Sequence, residues 1–237
     1  MKQKLFTSVA CLVLLMLMLL GSTLAWLTDR SDSVNTMVAG KIGIRQTQTD
    51  GDLTQVLMPS QEYKKTVTVT NTGTQPCFVR TLFAFEDNTY GGKSVVDMIS
   101  TDNSNIVFPK DENGKKIQFK VIKDGKETTF TIGCYVHEAV LEVGRSVTPL
   151  NLVKLSEQAD NDWIAAVNDC YELIILSQAC QSNGMEHGAE VSLNTAFDAI
   201  TGENCALWFV DIFNDSDLYT PGNLSATVSG NTITIAS

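Results

Sequence analysis

The pattern of apolar and polar positions divides the chain into one long apolar block and a series of alternating segments. Val9–Leu20 is an unbroken apolar run of twelve residues. Beyond it, Asn35–Thr47 reads as a strand whose alternation begins one residue earlier: Val34, Thr36, Val38, Ile42 and Ile44 fall on one face of an extended chain, and Asn35, Lys41 and Arg45 on the other. Thr49-Asp50-Gly51-Asp52 then reads as a polar turn, and Met58-Pro59-Ser60 as a bend into a strand over Tyr63–Thr70. Asn71-Thr72-Gly73-Thr74 has turn chemistry. Cys77–Phe85 carries apolar groups on both faces, the mark of a central strand covered on two sides. Asp87–Asn103 reads as a polar loop with a short element at Val95–Ile99, and Asn105–Pro109 as a short strand.

The clearest hairpin joins Lys115–Ile122 to Thr128–Val136. Ile117, Phe119 and Val121 alternate on one arm, and Phe130, Ile132, Cys134 and Val136 on the other. Asp124-Gly125 in the turn suits positive φ angles. Further strands are expected at Val140–Val143 and Ser146–Leu155, split by Gly144, and at Cys170–Cys180. Leu193, Ala196, Phe197 and Ile200 have helical spacing, which predicts a short helix over Glu190–Ile200 capped by Gly202. Glu157–Asp169 is acidic and reads as loop or a helical turn around Trp163. The apolar run Ala206–Phe213 predicts a final core strand. In the tail, Leu224–Val228 and Thr232–Ile235 form a small alternating pattern around Gly230-Asn231, either a docked terminal hairpin or an unpaired adhesive strand. The sum is an all-β chain: a single jelly-roll-like β-sandwich with one or two short helices in the connections.

The apolar block is an export signal. Lys2 and Lys4 supply its positive start, Gly21 and Ser22 break the helix, and Thr23-Leu24-Ala25 puts small residues where a signal peptidase cuts. Twelve apolar residues fall short of the ~20 needed to span a bilayer, which favours a cleaved signal over an anchor. Cys11 has most of the apolar run after it, so it does not suit a lipoprotein cysteine. The expected organisation is a signal at 1–25, a sandwich domain at 26–215 beginning with an assembly strand, and a tail or terminal hairpin at 216–237.

Charge narrows the partners. Of 17 Lys and Arg, two leave with the signal, so 15 face 27 Asp and Glu, a mature charge of −12. That balance argues against nucleic acid and against anionic membranes or wall polymers as direct partners. Five cysteines remain after cleavage: Cys77, Cys134, Cys170, Cys180 and Cys205. An odd number leaves at least one thiol free or paired between chains. Within one strand Cys170 and Cys180 would sit ~33 Å apart, too far to pair. Two readings stand: buried small apolar residues, or one or two disulfide staples.

The opening motif is where a family resemblance enters. Trp26-Leu27-Thr28-Asp29 follows the cut at once, and Asn35-Thr36-Met37-Val38-Ala39-Gly40 follows a short polar stretch. This resembles exported Gram-positive proteins processed by the SipW-type signal peptidase, among them the TasA fibre proteins and the camelysins. Met37 stands where that family usually has Phe. Two later stretches extend the likeness. Met58-Pro59-Ser60 leads to Val69-Thr70-Asn71-Thr72-Gly73 and then to Phe78-Val79-Arg80, with Ser60 in place of a usual Gly. Gln178-Ala179-Cys180-Gln181-Ser182-Asn183-Gly184 resembles a late strand ending in Gln-Ala-x-Gln-x-x-Gly.

The resemblance implies a secreted sandwich protein of the cell surface or biofilm matrix. Its partners would be other copies of itself joined head to tail, the signal peptidase during export, and an accessory matrix protein, with membrane contact only before cleavage. The cut would lie between Ala25 and Trp26. Freed by it, Trp26, Leu27, Val34, Thr36, Met37 and Val38 would form the assembly strand, adding to an edge of the next subunit. The alternative for this segment is an ordinary first strand within its own domain. At the level of the whole protein the alternatives are a monomeric surface binding or adhesion module and, because camelysins are described as metallopeptidases, a secreted peptidase.

Residues for peptidase chemistry are sparse. His137-Glu138-Ala139-Val140-Leu141 begins like His-Glu-x-x-His, but Leu141 stands where the second imidazole would bind zinc. His187 is the other histidine. Asp160-Asn161-Asp162 and Asp215-Ser216-Asp217 are oxygen-rich yet do not spell a calcium loop. Gly91-Gly92-Lys93-Ser94 lacks the upstream spacing of a phosphate loop. No catalytic, cofactor or metal residue is therefore expected, and the reading is a protein that is not an enzyme.

Overall fold

The computed structural model describes residues 41–50, 58–87, 89–90, 93–159, 171–182, 196–214 and 225–236. The elements are β1 (Ile44–Asp50), β2 (Glu62–Asn71), β3 (Cys77–Glu86), β4 (Thr89–Tyr90), β5 (Lys93–Ser94), a 3-10 turn at Val95–Met98, β6 (Ile99–Thr101), β7 (Gln118–Lys123), β8 (Lys126–Val136), β9 (Ser146–Leu155), β10 (Leu173–Gln181), helix α1 (Gly202–Phe213), β11 (Ser225–Ser229) and β12 (Thr232–Ala236). Two sheets carry the fold, a four-stranded one in the order β1-β2-β9-β6 and a six-stranded one in the order β10-β3-β8-β7-β12-β11. The chain is an all-β sandwich.

Strand β3 explains the layering. All ten of its residues are buried. Its odd positions turn to the four-stranded sheet: Phe83 and Phe85 pack with Val67, Leu150 and Ile175, while Cys77 and Val79 pack with Val69, Leu141, Ile42 and Ile44. Its even positions turn the other way, where Leu82 and Ala84 join Phe119, Phe130 and Ile132 against Cys205, Ala206, Phe209 and Phe213 of α1. The six-stranded sheet is thus covered by strands on one face and by a helix on the other. Each fully buried Phe, Leu or Val of this kind stabilises by about 1.5–3 kcal/mol.

The hairpin β7–β8 forms as its pattern predicts, with Asp124 at φ 52 and Gly125 at φ 75, the two positive angles of a tight hairpin turn. Strand β9 also covers the predicted residues, after a turn at Gly144. The tail resolves as a docked hairpin: β11 pairs β12, and β12 runs parallel to β7. That parallel pair and the helix depart from a purely antiparallel jelly roll.

Several expectations are corrected. The apolar run Ala206–Phe213 is a helix, not a strand. Thr201 caps its start by accepting the Asn204 amide at 3.1 Å, and Cys205, Phe209 and Phe213 recur every four residues on the buried side. Gly202 opens this helix rather than closing an earlier one. A Cβ there would lie 2.6 Å from the Gln118 carbonyl oxygen, so the helix start presses on β7. Of the expected helix at Glu190–Ile200, residues 190–195 lie outside the described residues, and Ala196–Ile200 is bend and irregular chain. Val140–Val143 is loop: Leu141 is buried and bridges Cys77, while Val140 and Val143 are exposed. Asn105–Pro109 contributes one bridge, Val107 to Cys134, in place of a strand. Thr49 and Asp50 are strand rather than turn, held by pairing with Thr66 and Lys65 and by an Asp50–Lys65 ion pair at 2.6 Å. Strand β10 begins at Leu173, and Cys170 lies outside the described residues.

Ser60 occupies the left-handed region at φ 64, the conformation glycine adopts without strain, and its amide donates to the Leu155 carbonyl at 3.0 Å. Left-handed backbone costs a residue with a side chain about 1–2 kcal/mol, partly offset by the greater chain entropy glycine loses on folding. Ser60→Gly is expected to stabilise the domain by about 0.5–1 kcal/mol, read as a higher urea midpoint; a lower midpoint contradicts this account of the turn.

Candidate assembly site

The cleavage pair Ala25 and Trp26, and the assembly-strand residues Leu27, Val34, Thr36, Met37 and Val38, lie outside the described residues. What the structure describes is the point where the chain that follows them is fastened. The turn after β2 fastens it. Thr72 and Gly73 donate their amides to the Gly43 carbonyl at 2.9 and 3.0 Å, and Thr74 donates to the Lys41 carbonyl at 2.8 Å. Lys41 returns an amide hydrogen bond to the Thr74 hydroxyl at 2.9 Å.

Asn71 holds that turn in shape. Its side-chain oxygen accepts the Gly73 amide at 2.9 Å, and its side-chain nitrogen donates to the carbonyls of Gln75 and Leu141, both at 2.9 Å. The residue is 1 % exposed, and its bonds to Leu141 and Gly73 are buried. Gly73 has no room for a side chain: a Cβ would lie 2.4 Å from the Lys41 carbonyl oxygen and 2.8 Å from the Gly43 nitrogen. Asn71-Thr72-Gly73 thus reads in the sequence as a turn, and in the structure as a clasp on residues 41–43. The contact spans about thirty residues, and no local pattern announces it.

From the clasp, Ile42 and Ile44 pack beside Ala179 of β10. Two residues on, Gln46 reaches across from β1: its side-chain nitrogen donates to the Ile175 carbonyl at 3.1 Å, and its oxygen accepts the Ser177 hydroxyl at 2.6 Å. Strand β1 ends one sheet and β10 ends the other. Their two edges face each other along one side of the sandwich, and the Gln46 amide spans the seam.

Arg80, missed in the sequence as anything but part of a motif, is a buried cation with a structural task. Its guanidinium lies 4.7 Å from the ring centres of both Phe197 and Trp208. It donates to Gln178 Oε1 at 2.7 Å and to the Asp198 carbonyl at 2.8 Å. Burial pulls its pKa down, against the pull of nearby thiols and Asp198. The stack pins the chain ahead of α1 to β3 and β10.

The residues weighed for chemistry are placed as follows. His137 follows β8, its amide donating to the Val79 carbonyl and its ring 3.5 Å from the Tyr135 hydroxyl, while Leu141 is core. The stretch between them is loop, so no helical turn aligns them. Ser94 donates to the buried Asp87 carboxylate, which also accepts from the Val96 amide, Gln118 and Thr131. His187, Asp160–Asp162 and Asp215–Asp217 lie outside the described residues. Among the described residues, Cys77, Cys134, Cys180 and Cys205 are free thiols. Burial pushes Cys134 up to about 11 and Cys205 to about 12, with Arg80 opposing both shifts. Both therefore stay protonated and behave as small apolar core residues at neutral pH.

The chain matches no family model and no curated protein.

Proposed function

We propose that this is an exported structural subunit that assembles head to tail into fibres at the cell surface or in biofilm matrix, by strand donation from the N-terminus freed at Ala25–Trp26. The observation that carries the reading is the clasp at Lys41–Gly43. It ties the chain immediately after the assembly segment to the seam between two sheet edges. A donor must be held firmly at its root and be free beyond it, and residues 26–40 precede that root directly. The opening motif supports the same reading, as does an acidic surface that leaves apolar and backbone contacts to hold an assembly together. In this account the SipW-type peptidase and an accessory matrix protein are the further partners, and the protein is not an enzyme.

Negative-stain microscopy of residues 26–237 beside a chain starting at Val38 tests the proposal, with both purified as monomers. Filaments are expected from the first and none from the second. Filaments from both would refute the N-terminal donor. Monomers from both would favour the binding-module reading.

A further inference from the structure

Arg80 is the one buried cation among the described residues, and it has no counter-ion there. It is 5 % exposed. The ion pairs among the described residues join Lys65 to Asp50, Lys116 to Asp97 and Lys120 to Glu127, and none of them includes Arg80. A charged side chain is almost never enclosed unless it is paired, because an unbalanced charge out of water is costly. The ionisable groups that act on Arg80 are Cys134, Cys205, Asp198 and Cys180. Burial raises the pKa of all three thiols, so they carry no charge at neutral pH. Asp198 is exposed, and it binds Arg80 through its main-chain carbonyl. A chain with 27 acidic residues thus sets none of the described ones against its buried guanidinium.

Its hydrogen-bond donors are equally under-used. A guanidinium carries five N–H groups in a rigid fork. Nε donates to Gln178 and Nη1 to the Asp198 carbonyl. Nη2 has no partner among the described residues. It is not sealed in either, since the Tyr171 hydroxyl is the one fully buried side-chain N or O atom among them that lacks a hydrogen bond. Nη2 therefore reaches the surface from an otherwise enclosed side chain. The fork is also held still. The Phe197 and Trp208 rings lie 4.7 Å from its central carbon, and Gln178 fixes Nε at 2.7 Å. The free donors are oriented before anything binds them, which lowers the cost of binding.

We propose that Arg80 is a binding site for an external carboxylate, held by the free donors of Nη1 and Nη2 beside the Phe197 and Trp208 rings. Three arguments select a carboxylate. Its two oxygens match a pair of parallel guanidinium N–H bonds. One cation with Asp198 close by balances a single negative charge, whereas a phosphate monoester brings about −1.5 to −2 at neutral pH. Water at Nη2 would satisfy the hydrogen bonds and leave the buried charge unbalanced. The carboxylate comes either from a free small acid or from the C-terminus of a peptide, and both make the same contact. The site does not depend on the fibre reading.

Nuclear magnetic resonance reads the site directly. The Arg80 Nε–H and Trp208 indole N–H signals are followed in isotope-labelled residues 26–237, which contain the compact unit Gly40–Ser237 whole. Sodium acetate is titrated in as the free acid, and a short glycine peptide with a free C-terminus as the chain end, both at constant ionic strength. Acetamide and the amidated peptide are the uncharged controls. Both signals are expected to shift saturably with a carboxylate and not with the controls, and the tighter of the two carboxylates identifies the source. Asp198→Asn, a change at an exposed side chain, removes a nearby like charge and is expected to tighten binding several-fold. Arg80→Lys keeps the charge and loses the fork. It is expected to weaken binding by about tenfold, the worth of one charge-assisted hydrogen bond. Should Arg80→Lys fail to fold, the controls and Asp198→Asn decide alone. No shift with either carboxylate, shifts that rise without saturating, or equal shifts with the controls would overturn the site. A silent wild-type chain beside a responsive Asp198→Asn would overturn it too, by showing that the Asp198 carboxylate already serves as the counter-ion.

Discussion

Phe209→Ala is expected to destabilise the domain by about 3–5 kcal/mol, the usual cost of truncating a fully buried Phe that the surrounding core cannot refill. Phe209 is 0 % exposed and stacks on Phe119 with ring centres 5.3 Å apart. Phe119 in turn stacks on Phe130 at 5.4 Å, and Phe130 meets Phe213 edge-on at 6.4 Å. The four rings join α1 to the β7–β8 hairpin, so the loss includes ring–ring contact as well as buried area. Leu207→Ala is the informative companion. A strand would place residues 207 and 209 on the same face, whereas a helix turns them about 200° apart. Leu207 is 56 % exposed, so its truncation is expected to change stability by no more than about 0.5 kcal/mol. Urea unfolding of the two variants separates the accounts. Comparable losses from both would contradict the helix, and a large loss from Phe209→Ala alone fits it.

The same run shows why part of the fold was not legible in the sequence. Ala206–Phe213 is eight residues of nearly continuous apolar character, short enough for a buried strand and equally able to wind. Periodicity does not separate the two at that length. The deciding signals were the Thr201 cap and the pressure of Gly202 against β7, and the second exists only once the tertiary structure is formed. Val140 and Val143 misled in a related way, being apolar yet left outside while Leu141 alone enters the core. The hairpin β7–β8 and the doubly buried β3 were legible because their signals are local: alternation, a turn dipeptide, apolar residues on both faces. The clasp was half legible. Asn71 and Gly73 announce a turn, but nothing near them names Lys41–Gly43 as what the turn holds. The sequence of β10 shows its lack of charge; that this strand ends its sheet follows from the topology alone.

Asn71→Leu, which keeps the volume and deletes the polar groups, is expected to cost about 2–4 kcal/mol. It deletes three hydrogen bonds, those to the carbonyls of Gln75 and Leu141 and that from the Gly73 amide, leaving Leu141 the Cys77 amide and Gly73 the Gly43 carbonyl. Each lost bond of this kind contributes about 0.5–1.5 kcal/mol. Asn71→Asp should be similarly damaging for a different reason: it keeps the acceptor for the Gly73 amide but turns a carboxylate oxygen toward two carbonyl oxygens. The larger consequence is local. With the turn unshaped, Thr72, Gly73 and Thr74 lose the geometry that presents their amides to Lys41 and Gly43, and the root of the N-terminal segment is released from the seam. Hydrogen exchange reads this directly. The Thr72 and Thr74 amides should lose protection well beyond the global destabilisation, while amides of the β7–β8 hairpin on the far side of the sheet should follow the global value. A uniform loss across both regions would mean that Asn71 serves the core as a whole and not the clasp. In the fibre account, releasing the root lowers filament yield more than Phe209→Ala does, although Phe209→Ala removes at least as much stability. The clasp sets where a donor segment begins, whereas the aromatic stack only holds the fold together.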